Sequence, residues 1–173
     1  MRWWITIAAV VIGVDQITKH MATRLLQLHE PAPLLPFVNL DLAYNTGAAF
    51  SFLADSNGWQ RWFFVVLAVA VSAMILKWLH RLGPDERWNG VALALIMGGA
   101  LSNAIDRVFF GHVIDFIDVY YLASSCMPLF TPLPFSDGMQ CHWPSFNLAD
   151  SSITVGAVML VLDALFPSKK AAS

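Results

Sequence analysis

Hydrophobic residues are concentrated in four long stretches, which polar segments separate. Uncharged runs extend from Trp3 to Val14, from Trp62 to Leu76 and from Trp88 to Ile105, and a fourth follows Asp150. About 20 predominantly apolar residues in an α-helix cross the hydrocarbon core of a bilayer. The pattern therefore predicts four transmembrane helices, at residues 3–24, 61–79, 88–108 and 146–166.

The composition agrees with a membrane protein. Of the 173 residues, 57% are apolar and only 13% are charged, whereas a water-soluble domain carries about 25% charged residues. The mean hydropathy is +0.60, and the net charge of −2 supplies no basic field for a nucleic acid. We expect an all-α membrane protein with a single domain over residues 1–173, in contact with membrane lipids and not with nucleic acid.

The first hydrophobic stretch has a second interpretation as a cleaved signal peptide, because one arginine precedes a short apolar run. No small-residue cleavage site follows this run, and the segment from Asp15 to His20 continues a helical pattern toward Leu26. A retained first span is therefore favoured.

Basic residues predict the orientation of the spans, because cytoplasmic segments of membrane proteins are enriched in Lys and Arg. The connection between spans two and three contains Lys77, Arg81 and Arg87, and the C-terminal end contains Lys169 and Lys170. The two longer connections, at residues 25–60 and 108–145, contain neither residue type. We expect both termini in the cytoplasm and both long connections on the outer side.

The first outer connection has the pattern of a small β element at residues 36–55. Apolar and polar residues largely alternate from Phe37 to Tyr44, and Asn45, Thr46 and Gly47 have turn chemistry. A second strand is expected at residues 48–52. The other outer connection, at residues 116–145, contains four prolines and is expected to be an irregular loop near the bilayer surface.

Two acidic residues lie at the outer ends of the third and fourth predicted spans. Asp115 follows the third span, and Asp150 lies in the first turn of the fourth. An ionised carboxylate near hydrocarbon is costly, so such residues are candidates for a functional site. Two facing carboxyls could share one proton, one acting as base for an attacking water and the other as acid toward a carbonyl oxygen. That is the chemistry of an aspartic protease.

A purely structural interpretation of these acids remains open. Asp150 could simply cap the fourth helix, and Asp115 could lie in solvent, with Asp118 marking a wet segment. In the first span, Asp15 and Lys19 are spaced i, i+4 with the acid first, which suits a self-neutralising ion pair.

Further polar residues accompany the two acids. Asn103, Asp106 and Arg107 share one face of the third helix, where each could pair with groups on another span. Asn147 precedes Asp150 by three residues and lies on the same helix face. These neighbouring polar residues favour a functional site over the interpretation of Asp150 as a simple helix cap.

Five blocks, in this order, resemble the signature of bacterial lipoprotein signal peptidase, also called signal peptidase II. The blocks are Asp15–Lys19, Asn45–Ser51, Gly98–Arg107, Val113–Phe116 and Phe146–Ser151. One block alone would carry little weight, but five ordered blocks on a four-span frame are highly specific.

The resemblance implies an intramembrane aspartic protease of the bacterial cytoplasmic membrane. Such an enzyme removes the signal peptide of a prolipoprotein by cutting before a cysteine modified with diacylglycerol. The resemblance makes Asp115 and Asp150 the catalytic dyad near the outer face, and the outer β element a cradle over the substrate. No cofactor or metal is implied. Supporting or substrate-binding roles are implied for Asn45, Gly47, Asn103, Asp106, Arg107, Asn147, Asp15 and Lys19.

Two features depart from the family pattern. Ser102 lies where a glycine is expected before Asn103, which affects how closely another backbone can approach. The segment between the two acids is longer than usual, with the extra length between Tyr120 and Pro144. Both cysteines, Cys126 and Cys141, lie in this segment on the expected oxidising side. A disulfide is predicted, with two free thiols as the alternative.

Two other classes of function remain as alternatives. A small proton-coupled carrier would use Asp15, Asp106, Asp115 and Asp150 as a relay, but a relay needs acids at several depths, and these gather toward one side. A non-catalytic assembly factor would tolerate replacement of aspartate by asparagine. The five histidines lack a spacing such as His-Glu-x-x-His, which disfavours a zinc protease.

Overall fold

The computed structural model describes residues 2–47, 58–135 and 138–166, and in these ranges the chain forms four helices and one five-stranded antiparallel sheet. The helices are α1 (Arg2–Leu25), α2 (Trp59–Arg81), α3 (Arg87–Phe110) and α4 (Leu148–Leu165). The strands are β1 (Ala32–Leu35), β2 (Val38–Asn45), β3 (Val113–Ala123), β4 (Thr131–Phe135) and β5 (Gly138–His142).

All four helices are long and apolar enough to cross a membrane, with 24, 23, 24 and 18 residues. Their outer surfaces expose large apolar side chains, for example Val66 and Val69 on α2 and Val158 and Val161 on α4. Apolar surfaces of this kind are favourable in contact with lipid and unfavourable in contact with water. The four predicted apolar helices of a multi-pass membrane protein are therefore confirmed.

Helix α3 occupies the centre of the bundle and packs against α1, α2 and α4. Its crossing with α4 is close, because a Cβ atom on Gly99 would collide with the carbonyl oxygen of Ala149. On the other helix, a Cβ atom on Gly156 would lie 2.5 Å from the carbonyl oxygen of Ala92. Small residues allow such close approach of helices in membranes. Asn103, one turn after Gly99, thereby comes within reach of α4.

Two hydrophobic clusters hold the bundle together at different levels. The first joins α1, α2 and α3 and consists of Ala8, Ile75, Leu79, Leu93 and Met97. The second joins the end of α1 to the sheet and consists of Ala22, Leu42, Ile114 and Phe116. The second cluster fixes strands β2 and β3 against the helices at the end of the bundle where the polar residues lie.

The strand order in the sheet is β1-β2-β3-β5-β4. The long strand β3 pairs with β2 along its first half and with β5 along its second half. Asn45 is opposite Val113, and Ala43 is opposite Asp115. This register brings the end of β2 to the predicted catalytic residue on β3.

The expectation of an irregular loop at residues 116–145 is wrong. Most of β3 and all of β4 and β5 lie in this segment. The prolines misled the prediction, because Pro132 and Pro134 lie on β4, an edge strand, where the missing N–H groups cost nothing on the open side. In contrast, the predicted strand at residues 48–52 and the basic residues Lys169 and Lys170 lie outside the described residues.

The predicted disulfide is confirmed. Cys126 and Cys141 are bonded, with their Cα atoms 5.4 Å apart, so the alternative of two free thiols is wrong. The bond ties the turn that follows β3 to strand β5.

Candidate active site

Asp115 is the third residue of β3, and its carboxylate is buried, with 2% of the residue exposed. Two amides hold it: Asn147 Nδ2 donates to Oδ1 at 2.7 Å, and Asn45 Nδ2 donates to Oδ2 at 3.1 Å. The idea that Asp115 lies free in solvent is therefore wrong.

Asp150 lies in the first turn of α4, where it does cap the helix. Asn147 is the N-cap; its Oδ1 accepts from the Asp150 backbone N–H at 2.9 Å, and Asp150 Oδ2 accepts from the Asn147 N–H at 3.3 Å. The second carboxylate oxygen has another partner, because Asn103 Nδ2 donates to Asp150 Oδ1 at 2.8 Å. The capping interpretation is correct but leaves half of the carboxylate for other contacts.

The asparagines connect the two acids. Asn147 bonds to both Asp115 and Asp150, and its Nδ2 also donates to Asn103 Oδ1 at 3.2 Å. The backbone holds the same arrangement, because Ile117 and Phe146 exchange hydrogen bonds of 2.8 and 3.0 Å. The start of α4 is thus pinned beside β3, and both acids line one groove.

The environment of Asp115 favours its protonated form. Burial, and after it the nearby charge of Asp150, raise the pKa of Asp115 to about 7, although the hydrogen bonds from Asn45 and Asn147 act in the opposite direction. A carboxyl with a pKa near 7 can both give and accept a proton at neutral pH.

A second charged cluster lies next to the first, deep between the helices. Lys19 Nζ is 2.8 Å from Asp15 Oδ2 and 2.7 Å from Asp106 Oδ2, and all three side chains are at most 1% exposed. The predicted i, i+4 ion pair is confirmed, and Asp106 joins it. Lys19 also donates to Asn103 Oδ1 at 2.8 Å, which links the two clusters.

This charged cluster grips the backbone beside each candidate catalytic residue. Asp15 Oδ1 accepts from the N–H of Ala149 at 2.8 Å, one residue before Asp150. Asp106 Oδ2 accepts from the N–H of Ile114 at 3.2 Å, one residue before Asp115. The charged cluster therefore helps to position the carboxylates of Asp115 and Asp150 through the backbone next to each of them.

Ser102 and Gln16 complete the charged cluster. Ser102 Oγ donates to Asp15 Oδ2 at 2.7 Å, and Gln16 Nε2 donates to Asp106 Oδ1 at 2.7 Å and to Ser102 Oγ at 3.1 Å. The hydroxyl of Ser102 is thus a hydrogen-bonded member of the charged cluster. Sequence reasoning missed Gln16, although it lies inside the Asp15–Lys19 block.

Arg107 and Gly47 border the other side of the groove. Arg107 Nη2 donates to the carbonyl oxygen of Gly47 at 2.7 Å, and Nη1 donates to the carbonyl oxygen of Asn103 at 3.3 Å. Its guanidinium lies 4.9 Å from the centre of the Phe64 ring. These contacts attach the end of β2 to α3.

The groove has a volume of about 1380 Å³. Asp115, Asp150, Asn45, Asn103 and Arg107 line it, so the structure brings these predicted site residues to one place. Within residues 2–47, 58–135 and 138–166, no group of three or more His, Cys, Asp or Glu side chains is arranged to hold a metal ion. The acids converge where the helices meet the sheet and are not spread through the bundle as a relay would require.

A third polar cluster was not foreseen. Asp118 is 2% exposed, so the expected wet segment is wrong. The carboxylate lies 2.8 Å from His142 Nδ1 and accepts from Asn39 Nδ2 at 2.9 Å. The three residues come from β3, β5 and β2, and only the register of the sheet brings them together. No local pattern in the sequence could have indicated this.

Comparison with known proteins gives consistent matches over nearly the whole chain. A profile of the family described as Signal peptidase (SPase) II matches residues 7–166. The lipoprotein signal peptidase of Pseudomonas syringae pv. tomato is 48% identical over 170 residues, which cover 96% of this chain and 87% of that protein. The lipoprotein signal peptidase of Aeromonas hydrophila is 45% identical over 172 residues, covering 98% and 92%.

A solved structure agrees. A bacterial membrane enzyme determined by the in meso method at 2.3 Å resolution superposes with a TM-score of 0.75 at 27% sequence identity. The match covers 100% of this chain and 96% of that enzyme.

Proposed function

Since the chain belongs to the signal peptidase II family, a family of aspartic proteases, and removes signal peptides from prolipoproteins, we propose that Asp115 and Asp150 are its catalytic dyad. One observation carries the assignment: the buried carboxylate of Asp115 and the half-buried carboxylate of Asp150 line one groove and are bridged by amides. No Lys or Arg side chain in the described ranges forms an ion pair with either acid. A carboxyl pair in this state is free to exchange a proton.

The reaction needs one proton on the pair. The ionised carboxylate takes a proton from a water molecule, whose oxygen attacks the scissile carbonyl carbon, while the protonated carboxyl gives its proton to the carbonyl oxygen. In the tetrahedral intermediate, one hydroxyl returns its proton to the pair as the carbonyl re-forms. The leaving amine takes a proton from the other carboxyl, which restores the singly protonated dyad. Asn147, Asn103 and Asn45 hold the carboxylates in place throughout.

We further propose that the groove faces the outer side of the bacterial cytoplasmic membrane, with both termini inside. Support comes from Lys77, Arg81 and Arg87, which lie at the α2–α3 end of the bundle, opposite the sheet. The scissile bond then lies at the membrane surface, where water reaches it.

The modified cysteine of the substrate is assigned to the same groove. On the α4 side the groove is lined by Ile153, Thr154 and Val155, and Val155 is about half exposed on the lipid-facing surface. Diacylglycerol chains can therefore remain in the bilayer while the peptide bond reaches the acids. The proposed cut falls directly before this cysteine.

The decisive experiment is a gel-shift cleavage assay in detergent with a prolipoprotein lipidated on its cysteine. Asp115→Asn and Asp150→Asn should each lower the rate by on the order of 10²–10⁴-fold, because an amide cannot relay the proton. Asp85→Asn, an exposed acid in the α2–α3 connection, is the matched control and should cut normally. Folded variants that cut at the wild-type rate would refute the dyad.

A further inference from the structure

The groove does not end at the two carboxylates. It continues to the segment 120–144, which we call the insert. Leu129, Phe130 and Trp143 of the insert line this far end, whereas Ile153, Thr154 and Val155 line the near end on α4. The same groove is therefore lined by the lipid-facing side of α4, by Asp115 and Asp150, and by apolar side chains of the insert. The N–H of Trp143 donates to the carbonyl oxygen of Val119, which lies four residues beyond Asp115 on β3.

The groove also contains an unsatisfied hydrogen-bond acceptor. Asp41 and His29 line the groove, and Asp41 Oδ1 is buried without a hydrogen-bond partner in the described part of the chain. Asp41 lies where β2 has one more residue than β3, between the pairs Leu40–Ile117 and Ala43–Asp115. Such a bulge redirects side chains and is common beside active sites. Burial raises the pKa of Asp41, and the charge of Asp118 acts in the same direction.

Backbone strain is concentrated at the same place. Three described residues other than glycine have positive φ, and two of them, His29 (φ 58°) and Leu129 (φ 78°), line the groove. Residues are held in this region only where the surrounding structure enforces it, and such positions cluster at ligand clamps.

The insert is built to keep its wall in one place. The Cys126–Cys141 disulfide ties the turn before β4 to β5, two residues before Trp143. The ring of Phe130 packs edge-on against Tyr121 at 5.0 Å and against Trp143 at 5.2 Å between ring centres. A wall held by a covalent bond and aromatic packing binds a ligand with little loss of side-chain freedom.

We propose that the far end of the groove binds the first residues of the mature lipoprotein, those that follow the modified cysteine. This rests on the proposed function. Val155 lies about 7 Å further along α4 than Asp150, toward the bilayer interior, so the signal segment and lipid chains belong at the near end. The polypeptide after the cut leaves the membrane and passes the insert. The aromatic wall packs against it, and Asp41 accepts one of its N–H groups.

The test compares two lipidated substrates that differ only after the cysteine. The long one keeps several residues of the mature segment, and the short one ends in an amide at the modified cysteine. Wild type should have a lower KM for the long substrate. Phe130→Ala should reduce this preference on the order of tenfold, the size expected for one well-packed aromatic contact. Leu133→Ala, an exposed residue of β4 that does not line the groove, should keep it.

The outcomes separate this proposal from the proposed function. If wild type cuts both substrates with the same KM, or if Phe130→Ala changes both KM values equally, the far end does not bind the mature segment. If wild type cuts neither substrate, the proposed function fails, and this proposal fails with it.

A second variant tests Asp41 independently of Phe130. Asp41→Leu removes the acceptor and should raise KM for the long substrate, while Asp41→Asn keeps an oxygen and should restore it. If Asp41→Leu leaves the KM for the long substrate unchanged, Asp41 does not bind the mature segment.

Discussion

The protein contains two neighbouring pairs of aspartates, and the two pairs are held in opposite ways. Asp15 and Asp106 share a cation, because Lys19 lies within 2.8 Å of both. Asp115 and Asp150 are held by side-chain amides instead, because Asn45 and Asn147 donate to Asp115 and Asn103 donates to Asp150. The first pair is locked between helices, and the second pair lines an open groove.

This difference suits the first pair to a structural role and the second pair to a chemical one. An ion pair with a buried lysine holds both carboxylates in place, which suits a pair that binds the backbone at Ala149 and Ile114. Neutral amides orient a carboxylate without deciding its charge, so the second pair can gain or lose a proton during a reaction. The same residue type thus has two roles, and the neighbouring group decides which one.

Removing the cation should be the most damaging change to this arrangement. Lys19→Met leaves Asp15 and Asp106 facing each other without compensation in a site that is at most 1% exposed. Breaking a buried pair in this way costs about 3–5 kcal/mol of unfolding free energy. Thermal unfolding in detergent measures the loss, and Asp106→Asn in the Lys19→Met background should recover part of it.

The control for this prediction is Lys77→Met, which removes an exposed lysine from α2 and should leave the unfolding temperature nearly unchanged. Equal stability of Lys19→Met and Lys77→Met would show that the lysine does not hold the two acids together.

The state of the proposed catalytic pair should be visible in the pH dependence of stability. The pKa of Asp115 is about 7 in the folded protein and 3.8 in its ordinary state, so the folded protein binds the proton more tightly. The contribution of Asp115 to the unfolding free energy then falls as pH rises from about 4 to 7, by up to about 1.4 kcal/mol per pH unit, and is constant above pH 7. Asp115→Asn cannot titrate and should have a flatter profile while losing activity.

Unfolding measurements on wild type and Asp115→Asn between pH 4 and 8 test this difference. Asp85→Asn serves again as the control and should keep the wild-type slope. Superimposable profiles for wild type and Asp115→Asn would mean that folding does not raise the pKa of Asp115.

The helices could be predicted because each transmembrane span is recognisable from its own segment. An apolar stretch such as Trp62–Leu76 is identified by its length and composition alone. The sheet depends on partners instead. Pro132 and Pro134 suggested a loop, because nothing in their own segment indicates that β4 pairs on one side only. The cluster of Asp118, His142 and Asn39 was missed for the same reason, since three strands must align before it exists.

The candidate site was more predictable than the sheet. Asn103, Asp106 and Arg107 follow helical spacing, so a shared face could be inferred from one segment. Their partners could not be inferred, since helical spacing does not say that Asp106 binds Lys19 while Asn103 binds Asp150. The pairing of Asn103 with Asp150 depends on the close crossing of α3 and α4 at Gly99 and Ala149. The pairing of Asp106 with Lys19 depends on the packing of α1 against α3.

The mildest change lies at Ser102, where the resemblance leads us to expect a glycine. Ser102→Gly removes the hydrogen bond to Asp15 Oδ2 but leaves Lys19 in contact with the same oxygen. Since the charge remains paired, we expect a loss of about 1 kcal/mol in unfolding free energy. The cleavage rate should stay close to wild type, because Ser102 touches the charged cluster and not the proposed catalytic pair. A large fall in rate at nearly unchanged stability would mean that the two aspartate pairs are coupled during the reaction.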